Sequence, residues 1–202
     1  MKKILFAILV SMAMFGYAEN AQAILLNFDE LSNGSILANQ YSGQGVVFSN
    51  SDGNLIAQNA TPGSPFTSPI AILPQNYSAN NNKNRADFSV SVTDVSVVMG
   101  DYNADQDNIY LYAYDSLNNL IASDSDIIES WLYGGKTVSV NAPAGKGIDY
   151  VTFYGIGISN NSVYFDNFGY TVETERPVPE PATMSLLGLG LAGLAFRKRK
   201  AS

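Results

Sequence analysis

The sequence predicts an all-β fold: an antiparallel two-sheet β-sandwich of the jelly-roll type, followed by one short C-terminal transmembrane helix. Three observations carry this reading. Apolar residues recur at every second position in several runs, the period of a half-buried strand. Gly, Asn, Asp, Ser or Pro separates most of those runs, as strand-turn-strand patterns require. Between residues 24 and 176, no stretch sustains a helical period beyond about two turns.

The strand candidates follow in chain order. Short apolar runs stand at residues 24–28, 46–48, 54–57 and 70–73. The Pro- and Asn-rich stretch 59–84 has little regular pattern, and a long surface loop is expected around the 69–73 run. Phe88, Val90 and Val92 then alternate with Asp87, Ser89 and Ser91, and a separate run follows at 95–99. Ile109, Leu111 and Ala113 alternate with Tyr110, Tyr112 and Tyr114. Residues 127–133 read as a strand, with one helical turn as the alternative. Val138 and Val140 flank Ser139, and further runs stand at 150–154 and 163–170. Roughly ten short strands in one domain suit a sandwich closed as a jelly roll.

Both ends of the chain address it. Met1, Lys2 and Lys3 precede uncharged residues 4–18 and the small-x-small pattern Ala21-Gln22-Ala23. This order is that of a secretory signal peptide, with the cut expected after Ala23; a retained anchor is the alternative, and the short apolar stretch argues against it. At the other end, Pro177, Pro179 and Pro181 enforce an extended linker. Uncharged residues 182–196 follow, then Arg197, Lys198, Arg199 and Lys200. As a helix the uncharged run spans about 22 Å, short of a bilayer core of roughly 30 Å, and snorkelling basic stems make up part of the deficit. The basic cluster is expected to stay cytoplasmic, which leaves the domain outside, where the signal peptide sends it. The expected organisation is 1–23 signal peptide, 24–176 sandwich and 177–202 sorting tail.

The order of Val178-Pro179-Glu180-Pro181, short apolar helix and basic cluster resembles the PEP-CTERM sorting signal. The resemblance implies signal peptidase and then exosortase, a membrane cysteine transpeptidase, as partners during export. It also implies a Gram-negative host that makes exopolysaccharide, with an inner-membrane intermediate before the outer surface or matrix. Gly188, Gly190 and Gly193 fit G-x-G-x-x-G, but a proline linker precedes them where a nucleotide fingerprint needs a strand.

Composition narrows the chemistry. Residues 24–176 hold 5 basic and 16 acidic residues, a net charge of −11, which disfavours nucleic acid and anionic lipid. The chain has no cysteine and no histidine, so disulfides, Cys/His zinc sites and Ser-His-Asp or Cys-His nucleophiles are excluded. An enzyme here would need carboxylates, tyrosine, lysine or a hard metal ion.

Asp29 with Glu30, and Asp166 with Asn167, lie near the two ends of the domain. Adjacent first and last strands would bring these acids to one edge, where a cation would relieve their repulsion, and Ca2+ suits such oxygen donors. The segments around Leu26-Asn-Phe-Asp29, Gly100–Asp115 and Tyr164-Phe-Asp166-Asn167 resemble exported jelly-roll carbohydrate-binding modules. That resemblance implies a structural calcium between these strands. Exposed turn carboxylates are the alternative. Asp101, Asn103, Asp105 and Asp107 lack the EF-hand glycine and glutamate and read as a hairpin turn.

Tyr110, Tyr112 and Tyr114 share one face of their strand and form the candidate ligand row, offering flat rings to sugars; burial on both faces or cover by a loop is the alternative. Trp131 and Tyr133 are weaker candidates. The expected function is a non-catalytic surface or matrix protein that binds polysaccharide or supports biofilm. The alternatives are a glycan-acting enzyme using paired carboxylates and a self-associating matrix protein.

Overall fold

A computed structural model describes residues 21–60, 69–76, 82–101, 106–129, 135–157 and 163–172. These all belong to one compact unit, Ala21–Glu173, that holds its own core. The body of the expected signal peptide, the sorting tail, and Trp131 and Tyr133 lie outside the described residues.

Among the described residues, eleven strands follow in order: β1 Gln22–Leu26, β2 Ile36–Leu37, β3 Val46–Asn50, β4 Leu55–Asn59, β5 Ile70–Pro74 and β6 Asn84–Gly100. Then come β7 Asp107–Tyr114, β8 Leu120–Ile128, β9 Lys136–Asn141, β10 Ile148–Ile156 and β11 Tyr164–Val172. All named pairings are antiparallel. The hydrogen-bonded order is β2-β4-β5-β11-β6-β10-β7-β8, with β1 on β11 and both β3 and β9 on β6.

The 17-residue β6 belongs to both layers of the sandwich. Its first half pairs with β3 and β10, and its second half pairs with β11 and β9. The register on β10 jumps from Tyr150↔Asp87 to Ile148↔Val92, so β6 carries extra residues where it changes layers. This bulge turns Val90 outward to 46% exposure while Val92 is fully buried, which corrects the expected inward row of Phe88, Val90 and Val92. It also fuses the two strands expected at 87–92 and 95–99. Gly147 permits the crossing, because a Cβ there would stand 1.5 Å from the Ser91 Oγ.

The core lies between the layers. Phe28 meets Tyr41, Phe48 and Phe165 edge-on at 5.5, 5.7 and 5.7 Å, and Phe153 of β10 meets Phe165 of β11 at 4.8 Å. Each such contact adds about 0.5–1.5 kcal/mol to the burial of the rings. β5 is buried along its whole length between β4 and β11, so the apolar run expected at 70–73 is an internal strand; residues 61–68 and 77–81 around it lie outside the described residues. At one side the free edges of the layers are stitched together. Asp124 Oδ2 of β8 accepts the Ser139 backbone N–H of β9 at 2.8 Å, and Lys136 Nζ meets Asp126 Oδ1 at 2.7 Å.

Candidate functional site

β7 and β10 bury alternate residues, and both turn their remaining alternate side chains to the outer face of one layer. From β7 these are Tyr110, Tyr112 and Tyr114, all half-buried. From β10 they are Tyr150, Thr152 and Tyr154. The register sets Tyr114 opposite Tyr150, Tyr112 opposite Thr152 and Tyr110 opposite Tyr154. On the far side of β10, Asp87 and Arg85 of β6 stand opposite Tyr150 and Thr152.

Two ladders of side chains result. In the first, Tyr114 and Tyr150 stack at 4.7 Å with planes 8° apart, and the Arg85 guanidinium lies 3.5 Å from the Tyr150 ring centre. Because β7 and β6 flank β10 on opposite sides, Tyr150 is sandwiched between phenol and guanidinium. In the second, Tyr110 stacks on Tyr154 at 5.2 Å, and Lys83 Nζ stands 5.2 Å from the Tyr154 ring centre. Tyr112 stacks on both Tyr110 and Tyr154, at 6.2 and 6.1 Å. The rings therefore turn their flat faces to one another. Each ring of the row thus has at least one face against another ring.

Arg85 is held by Asp87, with Nε 2.8 Å from Oδ2 and Nη2 2.5 Å from Oδ1. Hydrogen bonding to Asp87 raises the guanidinium pKa above its ordinary value, against an opposing effect of burial. Burial, then the Tyr112 hydroxyl beside it, pushes the Tyr154 phenol up to about 12. The Tyr150 hydroxyl donates to Asn118 Oδ1 at 3.2 Å.

The second candidate lies at the other layer. β1 pairs with β11 from Gln22↔Val172 to Leu26↔Phe168, so the first and last strands are neighbours; of the predicted cleavage residues, Ala21 just precedes β1 and Ala23 lies in it. Beyond Leu26 the strands part at two left-handed residues, Phe28 at φ 58° and Asn167 at φ 47°. Asparagine tolerates that region; Phe28 is held there by its fully buried ring. Asp29 and Glu30 are the central residues of a turn closed by the Leu31 N–H donating to the Phe28 carbonyl at 2.9 Å. Asp166 is fully buried, and its Oδ1 accepts the Asn167 backbone N–H at 2.6 Å.

The three acids converge on Tyr41. Burial first, then Glu30, Asp29 and Asp166, push its phenol well above the ordinary tyrosine range. The Tyr41 hydroxyl sits beside Glu30 without an aligned hydrogen bond. Among the described residues, no three acids are gathered closely enough to hold a metal by themselves. Asp101 and Asp107, read as part of a hairpin turn, are buried where β6 ends and β7 begins; residues 102–105 lie outside the described residues.

Residues 177–200 match the PEP-CTERM protein-sorting motif, a mark of exported proteins. Among solved structures, an arabinose-bound GH51 α-L-arabinofuranosidase is similar with a TM-score of 0.50 and 11% identity. That likeness covers 77% of this chain and 27% of the other, so this chain spans little more than a quarter of that enzyme, and the fold alone is shared. The CBM22-1 xylan-binding domain from Paenibacillus barcinonensis Xyn10C gives a TM-score of 0.49 at 10% identity, over 78% of this chain and 99% of its own. A DUF4465 family protein from Bacteroides caccae gives 0.48 at 11% identity, over 76% and 100%. No curated protein matches the sequence.

Sequence reasoning missed Tyr150, Tyr154, Arg85 and Lys83. Tyr150 and Tyr154 carry the same period-two signal as the β7 row, since Val151 and Phe153 take the inward positions. For Arg85 and Lys83 no local signal exists; their place follows from the β6–β10 register.

Proposed function

We propose that this chain is an exported, non-catalytic surface or matrix protein that binds polysaccharide through the outer face of β6, β10 and β7. The observation that carries this is the pair of side-chain ladders. Five tyrosines, one arginine and one lysine are held in fixed orientation on a half-exposed sheet face. Burying such side chains to that extent for packing alone would not require their polar tips to share one surface. A polyhydroxylated chain laid across β10 would meet phenol hydroxyls and cationic donors in sequence.

The sorting tail supports delivery to the cell exterior, with exosortase as the processing partner and exopolysaccharide or biofilm matrix as the setting. A non-catalytic role is favoured by Asp87. This carboxylate, set beside the tyrosines, is clamped by Arg85 and is poorly placed to serve as a free acid or base.

Calcium belongs to the same reading, at the corner where β1 leaves β11. The donors there fit a hard cation: carboxylates on Asp29, Glu30 and Asp166, and the amide of Asn167. Calcium also takes carbonyl and water oxygens, so it needs no three preassembled acids. Asp29 and Asp166 would hold it, with Glu30 and Asn167 assisting, and its charge would offset the buried Asp166. Melting the domain with calcium and with chelator tests this; Asp166→Asn and Asp29→Asn are each expected to abolish a calcium-dependent rise in Tm. An unchanged rise in both would remove the assignment.

The function itself is tested by cosedimentation of the domain with insoluble polysaccharides. Retention that Tyr150→Ala abolishes in a folded variant supports it. Turnover of the polymer would favour the glycan-acting enzyme, and assembly without sugar binding would favour the self-associating matrix protein.

A further inference from the structure

We propose that the tyrosine face selects an anionic polysaccharide, one bearing uronate or sulfate groups, and that Lys83 and Arg85 are the residues that select it. This rests on the polysaccharide-binding reading above and adds to it the class of glycan.

The distribution of the scarce basic residues points there. Residues 24–176 contain only Lys83, Arg85, Lys136, Lys146 and Arg176, against 16 acids. Lys136 is paired with Asp126 at the β8–β9 edge. Lys146 is exposed and acts on Asp115 beyond the end of β7. The remaining two described cations, Lys83 and Arg85, both cap tyrosine ladders on one face.

Lys83 forms no ion pair with a described residue; its contact is the ring of Tyr154. Arg85 commits Nε–H and one Nη2–H to Asp87, which leaves the rest of its donor fork available. With the ring faces turned to one another, the solvent side of the site is rich in donors: phenol O–H groups, a guanidinium and an ammonium. A neutral glycan covering this face would strip water from the Lys83 ammonium and return only hydroxyl oxygens, and an underpaired charge is costly to desolvate. A carboxylate or sulfate returns a charge-assisted hydrogen bond. The net negative charge of the domain does not forbid this. At physiological salt the Debye length is about 8 Å, so an anion on the face responds chiefly to the charges beside it: Lys83, and Arg85 with its paired Asp87.

The test is affinity electrophoresis of the Ala21–Glu173 unit through gels containing one polymer each. The acidic polymers are polygalacturonate, alginate, chondroitin sulfate and carrageenan; the neutral ones are xylan, mixed-linkage glucan, galactomannan and carboxyl-reduced polygalacturonate. The expected result is retardation by at least one acidic polymer, weakened by salt and about fivefold weaker in Lys83→Gln. Lys83→Arg should retain it, and Tyr150→Ala should lose it. Circular dichroism checks that each variant is folded. Equal or stronger retardation by neutral polymers, or acidic binding indifferent to Lys83→Gln, overturns the anionic selection and leaves the polysaccharide reading standing. Acidic binding that survives Tyr150→Ala places the attraction elsewhere and overturns the inference as well. No retardation by any polymer overturns both.

Discussion

The Arg85–Tyr150–Tyr114 ladder makes a quantitative prediction about stability. Tyr150→Ala deletes a ring stacked at 4.7 Å on Tyr114 and a cation–π contact at 3.5 Å to Arg85. The first is worth about 0.5–1.5 kcal/mol beyond burial, and the second about 0.5–1 kcal/mol at a half-exposed site. Together they predict a loss of about 2 kcal/mol, or a fall in Tm of about 4–8 °C for a domain of this size. Tyr150→Phe keeps both ring contacts and loses only the hydroxyl bond to Asn118, 3.2 Å long and exposed. It should cost less than about 0.5 kcal/mol. Arg85→Ala removes the cap and frees Asp87; that ion pair is 38% and 45% exposed, so solvent screening leaves it a small contribution. The double variant Tyr150→Ala/Arg85→Ala should therefore show a coupling of about 0.5–1 kcal/mol. Urea unfolding followed by circular dichroism measures the four variants against the unsubstituted protein. A Phe variant as damaging as Ala, or a coupling near zero, would refute the claim that stacking fixes these side chains.

Two further predictions concern the same layer and its partner. A Cβ on Gly155 would stand 2.1 Å from Val163 Cγ2 and 2.7 Å from its Cβ, a conflict that rotating a β-branched side chain cannot remove. Gly155→Ala should destabilise by about 1–3 kcal/mol, and Gly155→Ala/Val163→Ala should cost less than the sum of the two single changes by urea unfolding. At alkaline pH, the Tyr154 and Tyr170 phenols are both pushed up to about 12, first by burial. The unfolded chain loses these protons near pH 10 while the fold keeps them. Their contribution is thus intact below about pH 10 and is lost as pH rises towards 12. Tyrosinate absorbance should show Tyr154 and Tyr170 among the late-titrating phenols, with Tyr41 later still, and Tyr154→Phe should remove one of them and flatten the decline in stability over that window.

Much of the fold was legible because period-two patterning is local. Ile109, Leu111 and Ala113 are all fully buried, as their alternation requires. Where the reading failed, the cause was non-local. β8 was read only at its end, within the 127–133 run, because its sequence LIASDSDII alternates small and acidic residues; it is an edge strand that buries little, and its acids serve the neighbouring β9 edge. The length of β6 was missed because the bulge around Val90 breaks the alternation where the strand changes layers. The 70–73 run was legible as a strand from its apolar residues, but nothing local told that it lies buried between β4 and β11.

The tyrosine face shows a sharper limit. Alternation tells which side of a strand a residue takes, but it says nothing about how its ring is turned. That is decided by the strand next door. Adjacent strands lie about 4.8 Å apart, close to the spacing at which two upright rings stack, and the β7–β10 register happens to set tyrosine opposite tyrosine at both ends of the row. Each of these paired rings then spends one face on its neighbour. The consequence is chemical. A platform of open rings would grip neutral sugars by apolar contact and would tolerate salt. A fringe of ring edges, hydroxyls and two cations must work through hydrogen bonds and charge, so its grip should fall as salt rises. Binding to an acidic polymer that salt leaves unchanged would mean that the rings reopen on contact, and the ladder would then be a resting arrangement of the face, not the form that binds.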